Sequence, residues 1–292
     1  MRHGVVSAMP KKLELPPCML GEGPLWRKES REFVFTDIVN GTLYAAGEEG
    51  TVRTLLRCRY QLGAFLFDTA GDLLLLTEAG VFACPYGGGE KDFRLVWQVP
   101  MVPGERFNDA ICDPAGRILA GTKTEQDRDG SLWQFSPGRP PRRILSGLKI
   151  SNGMGFSGQG RIFYHTDSPD RAIRRYDYDI GSGGLSGGRV LVEVEPGCVP
   201  DGMTVDAEGC LWTACWGGGR VERYSPGGAR METYLLPASQ VSSVAFGGGE
   251  MDTLLVTSAA VGTSGGQEGG VWMLKPGVKG VEEYRAVLDP AR

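Results

Sequence analysis

Four oxygen-bearing side chains recur in one register along this 292-residue chain. Glu22, Asn108, Asn152 and Asp201 each stand 14 residues before an apolar-strand residue: Thr36, Thr122, Thr166 and Cys215. The same offset from Thr77 and Thr257 reaches Gly63 and Ser243. Taken one at a time, Asn152-Gly153 or Asp201-Gly202 reads as an ordinary turn pair. Glu22 is no turn former, and a register shared by four residues asks for a common cause. If these positions converge, the carboxylates repel one another and resist leaving water. One divalent cation among them removes both penalties. An all-oxygen donor set suits Ca²⁺, Mg²⁺ or Mn²⁺, with Zn²⁺ and Fe²⁺ also within reach.

Convergence requires elements that repeat. The six anchors Thr36, Thr77, Thr122, Thr166, Cys215 and Thr257 lie 41, 45, 44, 49 and 42 residues apart. Each closes an apolar strand such as EFVFT, DLLLLT or RIFYHT, and a loop and a second apolar strand follow. Ahead of the anchored strand stands a turn such as DTAGD, DPAGR, SGQGR or DAEGC, and ahead of that a short strand such as AFLF or MTVD. Asp or Ser followed by Gly supplies the backbone geometry of a tight hairpin. A fourth strand lies in segments such as TVRTLLRC and RLVWQVP. A multi-strand unit repeating every 40–50 residues is the signature of a β-propeller. Six repeats fill residues 1–292 as one all-β domain, a six-bladed β-propeller with the metal site on its central axis. Residues 1–13 are expected to be a tail, and KLELPPCML is positioned to pair with the last blade so that no sheet edge stays open.

Composition agrees. Glycine is 45 of 292 residues, about double the usual share, as short strands and tight turns demand. The formal net charge of −4 argues against nucleic acid or an anionic membrane surface as partner. Seven cysteines without a C-x-x-C read as buried free thiols rather than disulfides or zinc ligands. The start MRHGVVSAMPKK has no apolar run of signal-peptide length, so a soluble cytoplasmic protein is expected.

The segments LGEGPLW, RFNDAICDPAGRILAGT, ISNGMGFS, FYHTDS and PDGMTVDAEGCLWTACWGGGRV, in this order, resemble the regucalcin/gluconolactonase family of sugar-lactone hydrolases. The resemblance spans roughly residues 14 to 285. It implies a six-bladed propeller with one axial divalent metal, held by Glu22, Asn152 and Asp201. It implies that Asn108 lies beside the metal, touching substrate or a metal water, and that Arg106 contacts substrate hydroxyls. An acidic substrate contact of animal regucalcins falls in the loop AGTKTEQDRDG, where Glu125 or Gln126 fills the role. The expected reaction is hydrolysis of a sugar-acid lactone. The cation polarises the carbonyl and Asp201 takes a proton from water. The rivals are a non-catalytic calcium-binding propeller and a metal-dependent esterase or organophosphate hydrolase, whose relatives commonly lean on a channel histidine. Only His165 is available for that, and a packed role suits it better. Gly153 to Gly158 matches G-x-G-x-x-G and Gly262 to Gly266 matches G-x-S-x-G, but neither leads into a helix, so neither carries its usual chemistry.

Overall fold

The tight turns set the frame. In Asp68, Asp113 and Asp206 one carboxylate oxygen accepts the backbone amides two and four residues on, at 2.8–2.9 Å. The glycine within each turn has a positive φ that other residues rarely adopt. These turns join the first and second strands of blades, and the computed structural model describes the result over residues 4–6, 10–125, 127–263 and 265–288.

Two short strands precede the first blade: β1 (Gly4–Val6) and β2 (Lys11–Lys12). Blade 1 holds β3 (Gly21–Arg27), β4 (Glu32–Asp37), β5 (Thr42–Gly47) and β6 (Val52–Arg57). Blade 2 holds β7 (Leu62–Phe67), β8 (Leu73–Thr77), β9 (Gly80–Cys84) and β10 (Arg94–Trp97). Blade 3 holds β11 (Arg106–Cys112), β12 (Ile118–Lys123), β13 (Gly130–Phe135) and β14 (Arg142–Leu148). Blade 4 holds β15 (Ser151–Phe156), β16 (Ile162–Asp167), β17 (Ala172–Asp179) and β18 (Gly184–Glu193). Blade 5 holds β19 (Val199–Val205), β20 (Leu211–Trp216), β21 (Arg220–Tyr224) and β22 (Arg230–Leu235). Blade 6 holds β23 (Val241–Gly247), β24 (Thr253–Ser258) and β25 (Val271–Leu274), with β2 as its fourth strand.

The ring is therefore closed by pairing the chain's start with its last blade: Lys11 faces Met273 and Lys12 faces Trp272. Within the expected tail over 1–13, residues 4–6 and 11–12 are paired strands instead. Besides β2, β1 runs parallel to β22 on the outside of blade 5. Each pairing gives a sheet edge a partner, which is why residues 4–6 and 11–12 are not free.

Six clusters of buried side chains hold the blades together, one between each neighbouring pair. Phe65 and Phe67 of blade 2 pack on Val34 and Leu43 of blade 1, and Trp212 of blade 5 packs on Phe246 and Trp272 of blade 6. Strands such as Leu73–Thr77 are buried at every position because both sheet faces are covered.

After β25 the chain crosses the far end of the channel. Ala207 N donates to Lys279 O, Gly280 N to Met251 O, Thr69 N to Ala286 O and Val287 N to Gly116 O, all at 2.8–3.0 Å. Arg285 bridges to Glu29 at 2.7 Å, and the Tyr284 ring meets Phe156 edge-on. This strap touches all six blades. No helix among the described residues is long and apolar enough to cross a membrane.

Candidate active site

Every inner strand carries a β-bulge where the ring residues stand. The register slips between Glu22 and Leu25, Leu62 and Ala64, Phe107 and Asp109, Asn152 and Met154, Pro200 and Met203, and Val241 and Ser243. A bulge inserts an unpaired residue and re-aims its side chain. The 14-residue register reflects this. Glu22, Asn152 and Ser243 pair directly with Thr36, Thr166 and Thr257, whereas in the other three blades the preceding residue makes the pair.

The glycines that follow are not turn residues. Gly153 and Gly202 lie inside β15 and β19 without a positive φ. A β-carbon on Gly153 would lie 2.3 Å from Asp201 O, and one on Gly202 would lie 2.1 Å from Ser243 Oγ. The inner strands approach so closely near the axis that only glycine fits.

Glu22, Asn152 and Asp201 share one end of the channel, lining a cavity of about 770 Å³ together with Arg106, Asn108 and Lys123. All three are almost fully buried. Asn152 Nδ2 donates to Ser168 Oγ at 3.2 Å, and that hydroxyl donates to Pro200 O at 2.8 Å. This fixes the Asn152 amide and ties blade 4 to blade 5. Asn152 Oδ1 and Asp201 Oδ1 are buried without a hydrogen-bond partner. Burial, then the Asp201 and Asp109 charges, push the Glu22 carboxyl well above the usual range. Burial and then Asp109 do the same to Asp201, against the Gly202 amide and Asn152. Orphaned oxygens beside repelling carboxylates, with no sulfur or imidazole near, are a donor set that fits a hard divalent cation.

Arg106 is buried, and desolvation lowers its guanidinium to about 10. Its Nη1 donates to Asn108 Oδ1 and to Phe107 O, both at 2.8 Å, while Asn108 Nδ2 donates to Ser151 O at 3.0 Å. Asn108 thus braces Arg106 and links blade 3 to blade 4. Glu125 is exposed and lines the cavity, its carboxylate lying near Gly104 across the mouth. Gln126 lies outside the described residues. Trp216 lines the cavity, whereas Trp212 is core, its Nε1 donating to Asp206 Oδ2.

Sequence reasoning did not pick out Lys123, Ser168, Gln61 or Glu78, which also line the cavity. Lys123 and Ser168 follow the anchors Thr122 and Thr166 by one and two residues, so the repeat held a signal for both. His165 is outside the cavity. It is buried, shares a 2.8 Å hydrogen bond with Ser151 Oγ, and burial lowers it to about 4. One further oxygen and sulfur cluster, Asp206, Glu208 and Cys210, is already served by a cation: Arg223 binds Asp206 and Glu208 at 2.7 Å.

Residues 20–260 match the family model described as the SMP-30/Gluconolactonase/LRE-like region. The chain belongs to this family. Other members include the pentonolactonase XacC of Haloferax volcanii, 34% identical over 83% of this chain and 82% of that one. Regucalcin of Danio rerio is 33% identical over 83% of this chain and 84% of its own. Among solved structures, a calcium-binding regucalcin of Agrobacterium tumefaciens superposes with a TM-score of 0.89 at 26% identity, covering 96% of this chain and 98% of that one. The family fold is the six-bladed propeller described above.

Proposed function

We propose that the protein is a metal-dependent lactonase that opens a sugar-acid lactone to the aldonic acid. The observation that carries this reading is the pair of unpartnered buried oxygens, Asn152 Oδ1 and Asp201 Oδ1, beside the Glu22 carboxylate in a sugar-sized cavity. The pentonolactonase relative supports the same substrate class.

Glu22, Asn152 and Asp201 would hold the cation. When bound, a divalent ion polarises a carbonyl and lowers the pKa of water. Asp201 accepts the proton that the attacking water loses. Arg106 presents its planar fork to substrate hydroxyls, braced by Asn108, with Glu125 across the mouth and Glu125 or Gln126 as the acidic-loop substrate contact. A cavity lined with such donors discriminates against lactones that lack hydroxyls. A hydrolase that leans on a channel histidine is disfavoured, because His165 is packed away from the cavity.

Acid release at constant pH from sugar lactones, with and without EDTA, tests the reading. Turnover should vanish with EDTA and return with Ca²⁺, Mn²⁺, Zn²⁺ or Fe²⁺. Opening no faster than buffer with any of these ions sinks it. In metal-loaded Asp201→Asn, kcat should fall roughly 10²–10⁴-fold, the usual worth of a general base. Near-wild-type turnover in that variant would leave Asp201 a ligand only.

A further inference from the structure

Blade 5 holds two thiols and a guanidinium in one place. Cys198 immediately precedes β19, and Cys215 is the penultimate residue of β20. Cys198 and Cys215 lie in one buried cluster, Arg220 Nη2 donates to Cys198 Sγ at 3.2 Å, and Cys198 Sγ itself faces Glu195 O at 4.0 Å. Pro200 pairs with Cys215, so Cys198 stands diagonally across the ladder on the same sheet face. Gly218 keeps the group together. A β-carbon there would lie 2.7 Å from Arg220 Nη1, 2.9 Å from the Cys198 β-carbon and 3.1 Å from the Cys215 β-carbon. Any other residue at 218 would push these groups apart.

We propose that Cys198 and Cys215 form a reactive dithiol, with Cys198 the peroxide-sensitive nucleophile, Arg220 its activator and Cys215 its resolving partner. Three features separate this pair from the other thiols. The neighbouring Cys215 thiol, and after it the Arg220 charge, lower the Cys198 thiol to about 7 against its burial and against Glu222, to which Arg220 is ion-paired at 2.8 Å. Burial raises Cys18, Cys58, Cys84, Cys112 and Cys210, so those thiols stay protonated. Cys198 also keeps a 6% exposed surface, whereas Cys215 has none. A guanidinium against the sulfur favours an anion there and opposes a metal cation, so the pair suits oxidation rather than metal binding.

The chemistry balances with hydrogen peroxide as oxidant. The Cys198 thiolate attacks the peroxide; an S–O bond forms, the O–O bond breaks, and hydroxide leaves and takes a proton to become water. The Cys215 sulfur then attacks the Cys198 sulfenic acid; the S–S bond forms, the S–O bond breaks, and the oxygen leaves as water with the Cys215 proton. Two thiols lose two electrons and two protons, and one peroxide becomes two waters.

The test reads sulfur directly and is independent of any lactonase activity. The folded chain is treated with hydrogen peroxide at neutral pH, digested and analysed by mass. A peptide linking Cys198 to Cys215, two mass units lighter than the dithiol, should appear before Cys58 is modified. Cys58 is the natural control because it is the least buried thiol. In Cys215→Ser the link cannot form, and Cys198 should instead be trapped as a sulfenic acid by dimedone. In Arg220→Gln, Cys198 should react at least about tenfold more slowly with iodoacetamide, as a smaller thiolate fraction requires. Circular dichroism establishes that each variant is folded. If Arg220→Gln does not fold, the wild-type linkage and the Cys215→Ser trapping decide. Oxidation of Cys58 first, no linked peptide, or wild-type reactivity in a folded Arg220→Gln overturns the proposal.

Discussion

Glu22 and Asp201 come from opposite reaches of the chain and stand as near neighbours, each pushed toward its protonated form when no counter-charge is present. A cation reverses that pressure, so metal content reports directly on the two carboxylates. About one divalent ion per chain is expected by elemental analysis. Glu22→Gln should lose most of it, since an anionic donor becomes a neutral one. Unchanged content in both Glu22→Gln and Asp201→Ala would remove the site. At the neighbouring substrate contact, Arg106→Lys keeps the charge and loses the planar fork, whose Nη1 binds Asn108 and Phe107 while the remaining donors are left for substrate. Its KM should rise more for a sugar lactone than for an unsubstituted lactone, and an equal rise would mean that Arg106 does not read hydroxyls. The chemistry of these residues was legible because the repeat put them in one register. The bracing between them was not, since Asn108 to Ser151 O and Ser168 to Pro200 O cross between blades that the linear pattern treats as separate units.

Among the elements, the inner strands decide what the site can tolerate. Asn152-Gly153 and Asp201-Gly202, taken alone, look like turns, and the structure puts both inside bulged strands. The sequence could show that glycine was needed but not why, because the clash that excludes a side chain comes from the next blade's backbone or side chain. Gly153→Ala should therefore strain the pairing of blades 4 and 5 by about 1–3 kcal/mol, the range for forced overpacking. It should also weaken metal binding, because Asp201 moves with its carbonyl. Gly158→Ala, in a turn where an added β-carbon meets nothing within 4 Å, is the control. Urea unfolding with and without metal measures both. Equal stability of the two variants would mean that the inner strands can part without loss.

For the molecule as a whole, the strap was the least legible part. It has no periodicity, and its bonds are single amides and carbonyls scattered over distant turns. It delivers Glu283 to a small axial cavity, about 50 Å³, where Asp109 is its acidic neighbour. Burial raises Glu283 to about 7, against the hydrogen bond from Thr204. The folded pKa therefore exceeds the unfolded one. The folded chain holds an extra proton between the two values, and the associated stability is full below about 4.5 and is lost as pH rises through about 7. Glu283→Gln, neutral at every pH, should melt higher than wild type at pH 8 and show a shallower fall in Tm between pH 5 and 8. Calorimetry at fixed metal concentration checks this, and parallel curves would mean that Glu283 is already solvated.

Glu283, Tyr284 and Arg285 of the strap line that axial cavity, at the end of the channel away from the ring. At the ring's own cavity, Glu78 and Glu125 stand exposed around the opening. A neutral sugar ester meets no electrostatic toll on the way in. Under the proposed lactone hydrolysis the product is an anion, repelled by Glu78 and Glu125 at the lip and attracted by Arg106 and Lys123 deeper in. The lip carboxylates therefore set a charge gradient across the site, one that a neutral ester ignores and an acid product feels.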